Sequence, residues 1–171
     1  YQSMLEKGSI PQEEVTHIED AVVWHERFTH QARWCQVLRA TYYTYVVGDA
    51  EKLERVKQAI GDLEHMKHRN SRLPHVMTPR VFKKPRSSAE RKGVDIQLTV
   101  DVLNHVHDDN LDAVLLMTGD GDYLPLIEEV KGQGKQCYIA ALSDGLNDEL
   151  THVADRFYCL DHVLFPDHDA S

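Results

Sequence analysis

The sequence predicts a three-layer α/β/α domain built on a mainly parallel β-sheet. Apolar segments rich in β-branched residues alternate with segments of helical periodicity, an order typical of a parallel sheet covered by helices. The run AVLLM, residues 113–117, is apolar throughout, as expected of a strand buried on both faces. The length of 171 residues suits a single domain. In such a sheet, ligands bind at the carboxyl ends of the strands.

The predicted elements follow one another in strict alternation. Helical spacing of apolar residues and strand-like composition predict helices at 13–33, 53–66, 94–106, 123–131 and 146–154, and strands at 36–47, 75–84, 113–117, 136–142 and 156–165. Asp49 is the predicted N-cap of the second helix. Pro79 places the second strand at a sheet edge or makes it irregular. Residues 84–93, rich in Pro, Ser and basic residues, form the predicted basic loop.

Charge is unevenly distributed along the chain. The net charge of -9 excludes the strongly basic class of nucleic-acid-binding proteins. Between residues 65 and 92, however, Glu90 is the only acid among nine basic residues: Lys67, Arg69, Arg72, Arg80, Lys83, Lys84, Arg86, Arg91 and Lys92. A local field of this sign can hold a polyanion. A solvated loop explains the same pattern equally well.

Cysteine usage indicates a reducing, cytoplasmic setting. Cys35, Cys137 and Cys159 are odd in number and form no C-x-x-C pair, which disfavours a zinc ribbon or a disulfide framework. No apolar run approaches the roughly 20 residues that a membrane span needs.

Two acids stand where the strongest predicted strand ends. Asp120 and Asp122 follow residues 113–117, and each is preceded by a glycine. Adjacent carboxylates repel each other unless a cation neutralises them, and oxygen ligands suit Mg²⁺ or Mn²⁺. The competing interpretation makes Asp122 the N-cap of the next helix, with Pro125 in its first turn.

A third acid, Asp95, lies in the first turn of its predicted helix, beside the basic loop. The alternative for Asp95 is a favourable helix-dipole charge. Asp101 lies six residues further on, about 120° around the helix. The two could line one rim without pointing at the same atom.

Three segments together resemble one known family. They are K-G-V-D-I-Q-L-T-V-D, then L-L-M-T-G-D-G-D-Y-L-P-L-I-E-E-V-K-G-Q-G-K-Q-C, then L-N-D-E-L-T-H-V-A-D-R-F-Y-C-L. The chain resembles the NYN domain family, in the LabA-like branch of the PIN-like nucleases, from about Arg39 to Leu164. The combined K-G-x-D, (S/T)-G-D-x-D-(F/Y) and A-D-x-F pattern carries the resemblance.

The resemblance implies a PIN-like fold and a divalent-metal nuclease, acting mostly on RNA, with acids clustered at the strand ends. Matched residue by residue, it makes Asp95, Asp120 and Asp122 the catalytic and metal-binding candidates. Asp101 is a further metal-ligand candidate because of its position on the same predicted helix as Asp95. Thr118 occupies the small hydroxyl position before Gly-Asp and is a nucleic-acid-binding candidate, with Lys83, Lys84, Arg86, Arg91 and Lys92. We interpret Asp155, which also matches, as structural.

One departure from the family concerns its first strand. The family opens with a strand ending in D-G-x-N, followed by a leader such as L-Y-x-S-L, whereas Y-Q-S-M-L stands here at positions 1–5. We expect the natural protein to continue upstream with that strand, and the domain as printed to be N-terminally incomplete. A central strand is hard to omit because its neighbours would expose bare edges.

Three functions of different classes fit these features. The first is a Mg²⁺- or Mn²⁺-dependent endoribonuclease acting on single-stranded RNA. An exposed Tyr123 could stack on a base of that RNA, although a Tyr next to a helix start more often packs inside the protein. The second is a nucleic-acid- or protein-binding module with little catalysis, and the third is a hydrolase of small phosphate esters. A homodimer is compatible with each. Zinc is disfavoured because the clustered histidines lack cysteine partners; they are His65, His68, His75, His105 and His107.

Overall fold

The computed structural model describes residues 1–32, 35–66, 75–83 and 93–166. The chain divides into two compact units, one formed by Tyr1–Val15 and Thr99–Ser171, the other by Thr16–Leu98. Both contain parallel strands and helices, which confirms the predicted α/β class. In the described ranges, no helix has the length and apolar character needed to cross a membrane.

The unit Thr16–Leu98 is centred on a parallel strand pair. Strand β3 (Thr41–Val46) pairs with β6 (Thr78–Lys83), so the predicted parallel arrangement holds here. Helix α2 (Ala50–Gly61) begins after Asp49, whose side chain accepts a hydrogen bond from the Lys52 amide at 2.8 Å. The predicted N-cap is therefore confirmed. Val56 and Ile60 bury one face of α2.

The same unit holds two short antiparallel pairs that the sequence did not predict. Strand β1 (Thr16–Ile18) pairs with β2 (Val22–Trp24), and β4 (Glu64–Met66) pairs with β5 (His75–Val76). The predicted helix at 13–33 is wrong: the hairpin is followed by a 3-10 helix, Glu26–Ala32. The predicted helix at 53–66 likewise ends at Gly61, before β4.

Contacts from β3 explain why the hairpin replaces a helix. The Thr44 hydroxyl donates to the Ala21 carbonyl at 2.7 Å, and the Tyr42 hydroxyl accepts from the Val23 amide at 3.0 Å. Asp20 takes the left-handed φ of 58° at the turn, a conformation that Asp tolerates better than most residues. Distant side chains thus stabilise the hairpin over the local helical preference.

The other unit contains three parallel strands in the order β7-β8-β9. They are β7 (Ala113–Met117), β8 (Gln136–Ala141) and β9 (Arg156–Cys159). The helices are α1 (Gln2–Glu6), α3 (Gly93–His107, from Thr99 onward), α4 (Leu124–Gly132), α5 (Glu149–Val153) and α6 (Asp161–Leu164). Ile127, Val130, Cys137, Ile139 and Leu150 are fully buried.

Strand β7 has the predicted bounds but not the predicted burial. Residues 113–115 are half-buried and Met117 is 38% exposed. The strand at the centre of this sheet is β8, which pairs on both sides, whereas among the described residues β7 pairs only with β8. Without a second strand neighbour among the described residues, this apolar strand keeps part of its surface open. The predicted strand at 156–165 also ends early, at Cys159, because α6 follows.

Candidate functional site

Residues 118–122, here named the acidic turn, connect β7 to α4. The Asp120 amide donates to Thr118 Oγ1 at 3.1 Å, and the Asp122 amide donates to Asp120 Oδ1 at 2.9 Å. Asp120 therefore caps the short 3-10 helix Gly121–Tyr123. The alternative that made Asp122 the N-cap of α4 is wrong, because the N-cap residue of α4 is Tyr123 and Asp120 caps the 3-10 helix before it.

The two carboxylates of the acidic turn face solvent. Asp120 and Asp122 are exposed and Thr118 is half-buried. Tyr123 is only 7% exposed, so its ring packs in the protein and does not offer a stacking surface. The acidic turn is thus held by two hydrogen bonds and presents two acids just after the carboxyl end of a parallel strand.

A second loop, residues 142–148 after β8, lies against the acidic turn. The Asn147 amide donates to the Gly119 carbonyl at 2.9 Å. A Cβ at Gly121 would lie 2.2 Å from Asn147 Nδ2, and a Cβ at Gly119 would lie 3.1 Å from the Gly145 carbonyl oxygen. Neither glycine has a positive φ. Both are needed for the close approach of the two loops, not for a special backbone conformation.

Asn147 is the residue of this site that sequence reasoning missed. Its Oδ1 accepts from the Glu149 amide at 2.9 Å, while its Nδ2 lies over Gly121. The sequence carries one weak signal, a polar residue shortly after a predicted strand. The pairing of β7 with β8 is what makes it a neighbour of the acidic turn.

The other acidic candidates lie on α3. Asp95 is exposed in the first turn of the helix, and the start of the helix is anchored by the Val94 amide, which donates to the Tyr45 hydroxyl at 3.0 Å. Asp95 belongs to the unit Thr16–Leu98, whereas the half-buried Asp101 belongs to the unit that carries the acidic turn.

The acidic turn has the donor chemistry for Mg²⁺ or Mn²⁺. Each carboxylate offers two oxygens. In Asp120, the Asp122 amide donates its hydrogen bond to Oδ1. Mg²⁺ commonly keeps several waters and takes one or two protein carboxylates, so two acids fit part of a coordination shell. Across the described ranges, no group of three or more His, Cys, Asp or Glu is placed to hold a metal ion.

The basic candidates fall mostly beyond the described ranges. Lys83 is the last residue of β6 and is exposed. Lys84, Arg86, Arg91 and Lys92 lie outside the residues that the structure describes. Their role in binding nucleic acid stays a prediction from the sequence.

Asp155 has the structural role expected of it. Its Oδ2 accepts from the Cys137 amide at 2.7 Å, and its Oδ1 lies 3.3 Å from Lys131 Nζ. Lys131 also donates to the Val153 carbonyl at 2.6 Å. The Cys137 amide, together with Lys131, holds the pKa of the Asp155 carboxyl below its usual value. These bonds tie α4, β8 and the start of β9 together.

The chain has an α/β fold with two exposed acids just after the carboxyl end of a parallel strand. The NYN domain family model matches residues 13–161, and the chain belongs to the NYN domain family, part of the PIN-like nuclease superfamily. NYN nuclease domains generally act on RNA and generally use divalent metals.

Two individual proteins are similar to this chain. An uncharacterized protein of Methanocaldococcus jannaschii is 32% identical over 62 residues, which cover 36% of this chain and 26% of that protein. The match thus spans about a quarter of the relative's length. The crystal structure of a protein of unknown function from Vibrio parahaemolyticus has a TM-score of 0.53 at 21% identity and covers 82% of this chain and 80% of that one. This second likeness supports the fold.

Proposed function

We propose that this chain is a divalent-metal-dependent endoribonuclease of the LabA-like branch that hydrolyses phosphodiester bonds in single-stranded RNA. One observation carries the proposal: two exposed carboxylates sit on a hydrogen-bonded turn at the carboxyl end of a parallel strand, in a chain that matches the NYN family over residues 13–161. Crevices at such strand ends are where ligands bind in α/β folds.

Each candidate residue has a defined task in this proposal. Asp120 and Asp122 would hold Mg²⁺ or Mn²⁺, with Asp101 of the same unit as a further ligand candidate. Asp95 stays a metal-ligand candidate that the family resemblance alone supports. When bound, the ion supplies Lewis-acid stabilisation of the charge on the phosphate under attack. The Thr118 hydroxyl fixes the Asp120 amide and so sets the direction of that carboxylate.

The basic residues of the loop and its border would bind the RNA backbone. They are Lys83, Lys84, Arg86, Arg91 and Lys92. Contacts to phosphates position a nucleic acid without reading its bases. We therefore expect weak sequence preference and strong dependence on salt.

The test is a titration of Mg²⁺ or Mn²⁺ with end-labelled single-stranded RNA, comparing the wild type with Asp120→Asn. Asparagine keeps an oxygen that can cap the turn but loses the charge that attracts the cation. Cleavage should fall at least 100-fold, in line with the loss of a metal ligand or its support. Asp112→Asn is the matched control, because Asp112 is an exposed acid just before β7, at the opposite end of the strand.

A second candidate function is a binding module with little catalysis. It is favoured by the lack, in the described parts of the chain, of a group of three or more metal-binding side chains. RNA binding without cleavage, unchanged by Asp120→Asn, would support this module and contradict the nuclease. Cleavage of p-nitrophenyl phosphate without cleavage of RNA would instead indicate a hydrolase of small phosphate esters.

A further inference from the structure

We propose that Asn147 is a positioning residue for the acidic turn, which it holds in the form that binds a divalent cation through Asp120 and Asp122. The inference rests on the proposed metal-dependent function and extends it to a residue on a different loop. Asn147 acts through the backbone of the turn and is not assigned contact with metal or substrate.

Two contacts place Asn147 against the acidic turn. Its backbone N–H donates to the Gly119 carbonyl at 2.9 Å, and this bond joins the two loops directly before Asp120. Its side chain covers Gly121, the residue between the two acids. Asn147 therefore borders the turn on both sides of Asp120.

The side chain of Asn147 is itself fixed. Its Oδ1 accepts from the Glu149 amide at 2.9 Å, so the carboxamide cannot rotate without losing this bond. That bond also identifies the atom facing Gly121 as Nδ2, because the oxygen is engaged elsewhere. The Asn147 carboxamide is thus held in place beside Gly121.

The Asn147 side chain lies so close to Gly121 that a methyl group on residue 121 has no room. A Cβ at position 121 would lie 2.2 Å from Nδ2 and 2.9 Å from Cγ of Asn147, but 3.3 Å from its Cβ. Alanine at position 147 would remove the first two atoms and leave the third, which is tight but tolerable. The clash of Gly121→Ala is therefore specific to the Asn147 carboxamide.

Gly119 offers a matched control for the same turn. A Cβ there would meet the Gly145 carbonyl oxygen at 3.1 Å and the Leu146 Cα at 3.3 Å. Both are backbone atoms, so no truncation at position 147 removes them. A methyl group at 119 should disturb the turn whether or not Asn147 is present.

The experiment measures Mn²⁺ affinity by electron paramagnetic resonance for six proteins. They are the wild type, Asn147→Ala, Gly121→Ala, Gly119→Ala, and the two double variants that combine Asn147→Ala with each glycine change. Asn147→Ala should weaken Mn²⁺ binding roughly 10- to 100-fold, as loss of the support behind a metal ligand does. Gly121→Ala should add little in the Asn147→Ala background, whereas Gly119→Ala should add its full effect.

Cleavage kinetics supply a second readout. The Mn²⁺ concentration for half-maximal RNA cleavage should rise in Asn147→Ala, while kcat at saturating Mn²⁺ is retained, since the ligands themselves are intact. Asn110→Ala, an exposed asparagine after α3, should change neither value. Unchanged Mn²⁺ affinity in Asn147→Ala, or equal effects of Gly121→Ala in both backgrounds, would overturn the proposal.

Amide hydrogen exchange without metal separates this proposal from the proposed function. Asn147→Ala should speed exchange of the Asp122 amide, which is bonded to Asp120 Oδ1, by roughly fivefold or more, comparable to the loss of one hydrogen bond. Unchanged exchange overturns the positioning role even if Mn²⁺ binds. Faster exchange in a protein that binds no Mn²⁺ supports the positioning of the turn and overturns the metal site itself.

Discussion

Asp120 combines a structural bond and an exposed charge in one side chain. Its Oδ1 accepts the Asp122 amide, and its own amide is held by Thr118. A capping bond of this kind usually contributes about 1 kcal/mol to stability. Asparagine can replace the oxygen but not the charge, so Asp120→Asn distinguishes chemistry from folding: the midpoint of thermal unfolding should stay close to that of the wild type.

Cys137 shows the opposite case, a reactive group made inert by its surroundings. Burial, with the negative charge of Asp155 nearby, raises the pKa of the Cys137 thiol to about 12. Only the thiolate is a nucleophile. We therefore interpret Cys137 as a core residue with no part in catalysis.

Thiol labelling tests this interpretation. At pH 8, an aromatic disulfide reagent should react rapidly with the exposed Cys35 and should leave Cys137 unmodified until the protein is unfolded. Burial also raises the pKa of the half-buried Cys159, so its reaction should be slow. A Cys35→Ser variant should lose the rapid phase, and rapid labelling of Cys137 in the native protein would contradict the structure.

At the scale of elements, Asp155 joins the helix α4 to the strands β8 and β9. Strand β8 is the buried centre of its sheet, and Asp155 binds the Cys137 amide near its start. Lys131, from the last turn of α4, pairs with the same carboxylate. Asp155 of the A-D-x-F motif thus links α4, β8 and β9 through a hydrogen bond and an ion pair.

Removing the Asp155 carboxylate should lower the free energy of unfolding. Asp155→Ala should cost about 1.5–3 kcal/mol at pH 7, the usual range for a hydrogen bond to a charged group. The folded-state pKa of Asp155 is lowered, so its contribution is complete above the unfolded pKa of about 3.9 and is lost as pH falls through the folded value. Denaturant unfolding at pH 7 and pH 3 measures both effects.

The matched control is Glu128→Ala, which removes an exposed acid from α4. It should change stability by less than about 0.5 kcal/mol. An Asp155→Ala variant as stable as this control at pH 7, or equally destabilised at pH 3, would contradict the assigned role.

At the scale of the whole molecule, charge segregation determines how an acidic protein could bind RNA. The net charge is -9, yet residues 65–92 hold nine of the 19 basic residues and a single acid, Glu90. Phosphate contacts release counterions, so log K falls with log salt by about 0.7 per contact on a single strand. The number of basic residues that touch RNA is therefore measurable from the slope.

The double variant Lys83→Gln/Lys84→Gln should weaken RNA binding and reduce this slope by up to about 1.4, which corresponds to two lost contacts. Fluorescence anisotropy measured at salt concentrations from about 50 to about 300 mM gives the slope. Lys52→Gln/Lys57→Gln on α2 makes the same change in net charge. Equal slopes for both double variants would show that global charge, and not the basic segment, controls binding.

Strong local patterns predicted much of the fold. Helix α3, strand β7, helix α4 and strand β8 lie where periodicity and apolar runs placed them, because their residues favour one conformation regardless of context. The hairpin in residues 16–24 was predicted as helix. Its stability depends on Thr44 and Tyr42, some twenty residues away, which no local window contains.

The sequence by itself determined the α/β class and the position of Asp120 and Asp122 after a strand, because hydrophobic pattern and glycine spacing are local properties of the chain. Only the tertiary structure decided that Asn147 lies against Gly121 and that β7, within the described residues, pairs with β8 alone. The physical reason is the parallel pairing of β7 with β8, which brings together two loops that are more than twenty residues apart in sequence.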